Sequence, residues 1–546
     1  MDRFSSILFF SLLVLLTAQS YAQWSTDPTN NLIVGYGLLP ELASDSAGGC
    51  YITYEQNLSY PRHLVLERLN RYGYKPWGSG KQITGLLPEQ SFAKIVEDGN
   101  NGVIVAYQDI EITGDPKSPQ FTELLRVQRL DSSGNFLWGP NGVRVTISDT
   151  LQSYQAIVSD GRGGCIVTWV DVMENLRINR IDSIGTRVWG DSGKYVWNSA
   201  ERPPMISDGN GGCYISYEYQ YLQWIDSTGA AIWPNHGKRV PTGIVTMSKD
   251  FLENIYLFGG DFIGYNGSVN VWTAELQKVN FNGSFLWDSS GIFIDTIYDG
   301  GGLTRICIIT APGGTSFLAW DNTVNAKRKV FGQIVSTNGI PLTISPFMMG
   351  SLSSDEWTPQ LVISNSQSTI FMWRDYDQNP SRIYAQRINS SGSKMWDTLN
   401  ITVSIPALSY EKITTDCNAG CIIIGSDENF SIRAQQVSNI GNLGKIITGI
   451  TDEHLLNIPQ RFELHQNYPN PFNPITTIRY DLPSSTWVKL EIFDQLGRVV
   501  QVLTNAIQQP GSYEVNFNAE NLSSGIYFYR LLTREKIRVR KFIILK

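Results

Sequence analysis

Ser159-Asp160-Gly161-Arg162-Gly163-Gly164-Cys165-Ile166-Val167-Thr168-Trp169 decides the reading of the fold, because versions of this phrase recur through most of the chain. The same phrase stands at 44–54, 97–107 and 207–217, with weaker copies at 311–320, 364–373 and 415–424. Asp and Gly between two apolar runs make a tight turn, since Gly tolerates positive φ and Asp bonds its own backbone. The runs on either side, 155–158 and 165–169, are rich in β-branched and aromatic residues and read as strands of a hairpin. A second phrase follows in each unit, as in Leu130-Asp131-Ser132-Ser133-Gly134-Asn135-Phe136-Leu137-Trp138-Gly139, and then a short strand such as 143–147. Each unit therefore offers roughly four strands.

The phrases recur about every 50 residues, the period of propeller blades of the kelch class rather than of short solenoid coils. Turn markers at Asp45, Asp98, Asp160 and Asp208, near Asp250, Gly313 and Asn365, and at Asp416 predict an all-β, eight-bladed β-propeller over 23–449. Seven blades is the alternative, because 246–261 and 303–321 are degenerate copies. The Trp of the second phrase recurs at Trp77, Trp138, Trp189, Trp233, Trp287 and Trp396, while Gly339 and Gly441 mark units that lost it. Trp24 and the strand-like 31–34 resemble the end of a unit without its beginning. In a closed ring such an orphan strand completes the last blade and removes the exposed sheet edge.

The composition agrees with many short strands: aromatics make up 12% and there are 49 Gly in 546 residues, while charge at 17% is low for a soluble domain. A net charge of -7 offers no basic patch and excludes nucleic acid as the expected partner. Residues 1–22 read as a signal peptide: Arg3, an apolar core at 7–16, and Ser20-Tyr21-Ala22 as a small-x-small site that places the cut between Ala22 and Gln23. The apolar core is too short for a comfortable span, and nothing later reads as a transmembrane segment of the mature chain. Of the six cysteines, Cys50, Cys165, Cys213 and Cys421 occupy one position of successive units, where a small apolar residue starting a buried strand suffices. Cys417 and Cys421 flank a turn and are candidates for a disulfide across a hairpin.

The strand after each turn often ends in an aromatic followed by a carboxylate: Tyr54 and Glu55, Tyr107 and Asp109, Trp169 and Asp171, Tyr217 and Glu218, Trp320 and Asp321, Trp373 and Asp375. Equivalent positions of blades fall on a circle, so these residues are the candidate ligand-binding set, a ring of aromatics and acids suited to stacking on sugars or holding a cation. Alternatively the aromatics pack between blades and the acids cap turns. No metal or cofactor is expected: each Asp-Gly turn offers one carboxylate where a calcium loop needs several oxygens. The four histidines lack the spacing of a metal pair, and neither a nucleophile elbow nor a phosphate loop occurs. This weighs against an enzyme and leaves paired carboxylates for glycoside cleavage as the alternative.

After Gly449 the period breaks. Residues 450–460 form a polar, Pro-containing linker, and the text then changes to Tyr468-Pro469-Asn470-Pro471-Phe472-Asn473-Pro474, followed by Gly497-Arg498-Val499-Val500, by Gly511, by Gly525-Ile526-Tyr527 and by a terminal Lys541 to Lys546. In these motifs 461–546 resembles the C-terminal sorting domain of the type IX (Por) secretion system of Bacteroidetes, with Phe517 where relatives often carry Trp. Alternation in 487–493 and 513–517 independently predicts half-buried strands and a small immunoglobulin-like β-sandwich. Basic residues at Arg534, Lys536, Arg538, Arg540 and Lys541 either meet an acidic translocon surface or protect a solvated edge strand. The resemblance implies export through the periplasm, handling by the type IX machinery, removal of the tail near 451–461, and a cell-surface or secreted product. The expected function is an exported propeller that binds a glycan or surface protein; a polysaccharide-acting hydrolase or lyase and a structural envelope component are the alternatives.

Overall fold

A computed structural model describes residues 24–56, 62–83, 89–115, 118–148, 153–198, 203–267, 269–288, 290–299, 303, 305–396, 399–444, 462–482, 486–495, 497–508, 511–520, 522–533 and 536–545. The signal peptide with Ala22 and Gln23, the linker 450–460, Arg534 and Lys546 lie outside the described residues. Among the described residues there is no helix, and the strands form ten small sheets. Eight of these sheets open, in chain order, with Leu38–Ser44, Glu89–Glu97, Ser153–Ser159, Met205–Ser207, Thr246–Lys249, Ile306–Thr310, Glu356–Asn365 and Ser409–Thr415. Their strands pair antiparallel in simple succession, and each opening strand lies against that of the next sheet. Ser409–Thr415 lies in turn against Leu38–Ser44, so the contacts return to their start.

The third sheet shows why these residues fold this way. Cys165–Val170 is buried along its whole length, which is why it reads as an unbroken apolar run rather than an alternation. At the turn before it, one Asp160 oxygen accepts from the N–H groups of Arg162 at 2.8 Å and Gly164 at 2.7 Å. Gly161 and Gly163 stand at φ 70° and 87°. A Cβ on Gly164 would lie 2.2 Å from the Ile181 carbonyl oxygen, so no side chain fits. The second Asp160 oxygen receives the Arg180 guanidinium at 2.8 Å from the strand Asn175–Ile181. The same arrangement joins Asp45 to Arg68 and Asp98 to Arg129, while Trp224 and Gln436 supply the donor to Asp208 and Asp416.

The arginine then reaches out of its own sheet. Arg129 Nη1 and Trp138 Nε1 both donate to the Ser183 carbonyl of the following unit, at 2.9 and 3.2 Å. Arg68 with Trp77 and Arg387 with Trp396 do the same to Ser132 and Asn439. Each tryptophan ring also covers a left-handed glycine of that next unit: Trp138 on Gly185, Trp189 on Gly229, Trp396 on Gly441. Thr343 takes this place opposite Gly392, in the unit that lost its tryptophan.

The eighth sheet takes its tryptophan from the other end of the chain. Trp24 donates to the Arg71 carbonyl at 3.0 Å and packs on Gly73 of the first unit. Leu32–Tyr36 pairs with Ser431–Val437, Leu32 opposite Ala434. Trp24, Val34, Cys50, Ile52, Ile422 and Ile432 accordingly share one core. The fifth sheet departs from the pattern: its second strand breaks after Gly259 and resumes as Phe262–Asn266, both pieces pairing with Val269–Val279. A Cβ on Gly260 would sit 1.7 Å from the Thr273 carbonyl oxygen, which fixes the break at a glycine.

The expected disulfide between Cys417 and Cys421 does not form; all six cysteines are free. The two side chains serve different neighbours. Cys421 is buried in the core between the seventh and eighth sheets, whereas the Cys417 thiol sits 3.5 Å from the Ser44 hydroxyl of the first.

The last two sheets are Glu463–Leu464, Ile475–Leu482 and Gly511–Asn518 in one, and Val499–Gln508, Thr486–Phe493, Gly525–Thr533 and Ile537–Ile544 in the other. They enclose a single core that includes Tyr480, Ile492, Phe517, Tyr529 and Phe542. The expected outcome of Asp160→Ala is a loss of about 3–5 kcal/mol in a denaturant titration, because Arg180 stays buried without its carboxylate. A loss below about 1 kcal/mol would mean that the pair does not hold the hairpin.

Candidate functional site

The six aromatic residues of the expected ring do not meet. Tyr54, Tyr107, Trp169, Tyr217, Trp320 and Trp373 are buried, each in a different inter-sheet core. The accompanying acids are engaged locally. Glu55 pairs with Arg62 at 3.1 Å and accepts the Phe92 N–H of the second sheet at 2.9 Å. Asp109 pairs with Arg126 at 2.8 Å. Asp171 accepts the Met173 N–H at 2.9 Å, capping its turn, and pairs with Arg177 at 2.6 Å. Asp375 accepts the Asp377 N–H at 3.0 Å, and Glu218 accepts from the Trp197 indole. Packing between sheets and turn capping thus account for most of the set.

What the sequence left unmarked lies beside Trp320 and Asp321. A cleft of about 680 Å³ opens between the fifth and sixth sheets, lined by Asn266, Asp295, Thr296, Tyr298, Asn322 and Asn325 among others. Its volume lies within the usual range of small-molecule sites. Asp295 on Ile292–Asp299 accepts from Trp320 Nε1 at 3.0 Å and from Asn322 Nδ2 at 3.2 Å. Asn322 also donates to the Thr296 carbonyl at 2.9 Å and accepts the Tyr298 N–H at 2.9 Å. The polar floor is therefore held rigidly by hydrogen bonds across two sheets. Asn322 follows a residue pair that the repeat singles out, but Asp295 falls in neither recurring phrase and carries no signal of its own.

Asp321 points into a charged cluster. Arg328 lies 3.5 Å and Arg305 3.6 Å from its carboxylate, and Arg328 also pairs with Asp299. The two guanidinium groups stand 4.4 and 4.6 Å from the Trp357 ring. Burial pushes the Asp321 carboxyl up to about 6 despite the two arginines. Among the described residues no group of three or more His, Cys, Asp or Glu is placed to hold a metal ion.

In the C-terminal unit the family motifs converge. Asn470 Oδ1 accepts the Ile543 N–H at 2.9 Å, and Phe472 pairs its backbone with Ile543 and Leu545 while its ring packs on Phe517 and Phe542. Pro469 and Pro471 flank Asn470 in this segment. Tyr527 stacks on Phe542 at 5.8 Å, and Gly525 pairs with Ile544. Lys541 offers its carbonyl to Gln466 at 2.8 Å. Gly511 pairs with Leu482, and Gly497 with Arg498 closes a turn on Asp494.

Residues 466–545 match the family described as the secretion system C-terminal sorting domain. The match implies type IX sorting: handling by that secretion machinery and export to the outer-membrane surface or the medium. No helix of the described residues is long and apolar enough to cross a membrane. No curated protein matches the chain. Among solved structures it is similar to the Hadza microbial sialidase Hz136, at 10% identity over 62% of this chain and 63% of that one, with a TM-score of 0.31. Sqt1 from Chaetomium thermophilum is similar at 8% identity over 74% of this chain and 98% of that one, TM-score 0.38. The Penicillium chrysogenum α-L-arabinanase complexed with arabinobiose gives 8%, 55% and 94%, TM-score 0.25. Likenesses at this level fix neither fold nor ligand.

The raised Asp321 carboxyl binds a proton in the folded chain at pH values where the unfolded chain has lost it. Its contribution to stability is present below about pH 4 and is lost as pH rises through about 6. Melting temperatures of the wild type and Asp321→Asn are therefore expected to diverge between pH 4 and pH 7, the variant gaining relative to the wild type as pH rises. A pH-independent difference would refute the shift.

Proposed function

We propose that this is an exported glycan-binding protein, whose eight sheets are the blades of a β-propeller and whose last two sheets form an immunoglobulin-like sandwich that directs sorting. Support for the ring comes from the returning contacts of the opening strands and from the Trp24 strand that completes the eighth sheet. The observation that carries the ligand reading is the cleft between the fifth and sixth sheets. Carboxamide, hydroxyl and carboxylate groups line it beside Tyr298 and Phe331, a mixture suited to the hydroxyls and the apolar faces of sugar rings.

The test is affinity electrophoresis of the exported chain in gels containing xylan, arabinan, mannan, laminarin or pectin. The wild type is expected to be retarded by at least one polymer, and Asn322→Ala to weaken that retardation at least about tenfold through the loss of a held polar floor. Equal retardation of both proteins would move the site elsewhere. Retardation by none would remove the glycan reading and leave a protein ligand or a structural role. A polysaccharide-cleaving alternative would show as release of shorter oligosaccharides from the retarding polymer.

For sorting, deletion of 541–546 removes the strand end that Asn470 and Phe472 grip. The deleted protein is expected to accumulate in the periplasm on cell fractionation; normal surface display would refute this role.

A further inference from the structure

The third and fourth sheets carry an aromatic cluster at the rim equivalent to that of the cleft. Trp197, half-buried on Lys194–Asn198, lies face to face with Tyr217 at 5.4 Å and Tyr221 at 6.3 Å, and edge-on to His236 at 4.6 Å. Tyr217 and Tyr221 stack on each other across their hairpin at 5.8 Å. The Trp197 indole N–H donates to the Glu218 carboxylate, which fixes the ring. Around it the backbone is strained. Glu218 and Tyr219 take φ 49° and 55°, and Asn235 and His236 take 54° and 66°. The hairpin positions 218 and 219 ordinarily carry Asn-Gly, and a non-glycine residue there costs about 1–2 kcal/mol. Strain of this kind persists where the surroundings over-determine it and clusters at ligand sites. Here it holds Glu218 and His236, both exposed, against Trp197.

The turn 218–220 joins the second and third strands of the fourth sheet, and 325–326, at the lip of the cleft, joins the second and third strands of the sixth. The two sites therefore occupy the same end of their sheets. Between them the fifth sheet presents the hairpin of Phe262–Asn266, with Phe262 and Tyr265 exposed. We infer that Trp197, Tyr221, Glu218 and His236, backed by the buried Tyr217, form a second sugar-stacking subsite on the rim that carries the cleft, so that the ligand is a polysaccharide chain spanning the fourth to sixth sheets. This rests on the glycan reading above. The aromatic faces take the C–H face of a pyranose ring, while the Glu218 carboxylate and the His236 imidazole take its hydroxyls.

Two linked subsites bind a long chain more tightly than a short one without any new contact. The measurement is the affinity of the full chain for each polymer named above and for its own hexasaccharide. The wild type is expected to hold the retarding polymer at least about tenfold more tightly than the hexasaccharide, and Trp197→Ala to lower that ratio about tenfold. Melting curves check that the variant is folded. His236→Ala, at an exposed position, gives a second reading of the same ratio if it is not. An unchanged ratio in folded variants overturns the second subsite and leaves the cleft intact. Failure of the wild type to bind any polymer overturns the glycan reading and this inference together.

Discussion

Three hairpins of the repeat region depend on a carboxylate that does two jobs with two oxygens, and at Asp208 and Asp416 a tryptophan or a glutamine takes the arginine's place. One oxygen of Asp160 closes the turn on backbone N–H groups, and the other fixes a guanidinium that reaches across to the next sheet. A buried charge pair is costly to desolvate and is held only when its remaining donors and acceptors are satisfied. The satisfying acceptor is a carbonyl of the neighbouring unit, shared with a tryptophan N–H. Turn geometry, strand pairing and the seating of one sheet on the next are therefore coupled through one group of atoms. That coupling explains why the unit repeats as a phrase and not merely as a pattern of apolar residues.

It also explains what could be read from the chain alone. The Asp-Gly turns and the tryptophan phrase are local, so their chemistry is visible in the residues themselves; even Trp24 could be matched to the unit at Gly441 that lacks its own ring. The sorting motifs were legible for the same reason, being short and in fixed order. The fate of the aromatics at the strand ends was not legible. Whether Trp169 or Trp320 faces a mouth or a neighbouring sheet depends on the pairing between units, and both lie buried. The cleft was hidden further still. Asp295 gains its partners only where Ile292–Asp299 of the fifth sheet meets Trp320 and Asn322 of the sixth. Trp197 lies outside both phrases, on a fourth strand whose sequence varies most from unit to unit.

The variable positions are where the molecule differs from a bare repeat. The constant chemistry lies at the Asp-turn end of each sheet, and the opposite end is free to vary: a charged cluster on the sixth, a broken strand on the fifth, an aromatic stack between the third and fourth. A rigid array with one invariant end and one adaptable end can change its ligand without disturbing how its sheets are seated. The sorting tail, with a core of its own, does not share in that arrangement.

The pairing of Leu32–Tyr36 with Ser431–Val437 sets a limit on the order of events during biogenesis. Residue 32 meets residue 434 only after every intervening unit has been made, and closing a loop of that length costs on the order of 5 kcal/mol in chain entropy. The units can form hairpins one after another as the chain emerges, whereas this pairing waits for the last of them to be made. It ties the N-terminal strand to the end of the repeat region, so the eighth sheet is complete only when both ends of that region stand on the same side of a membrane.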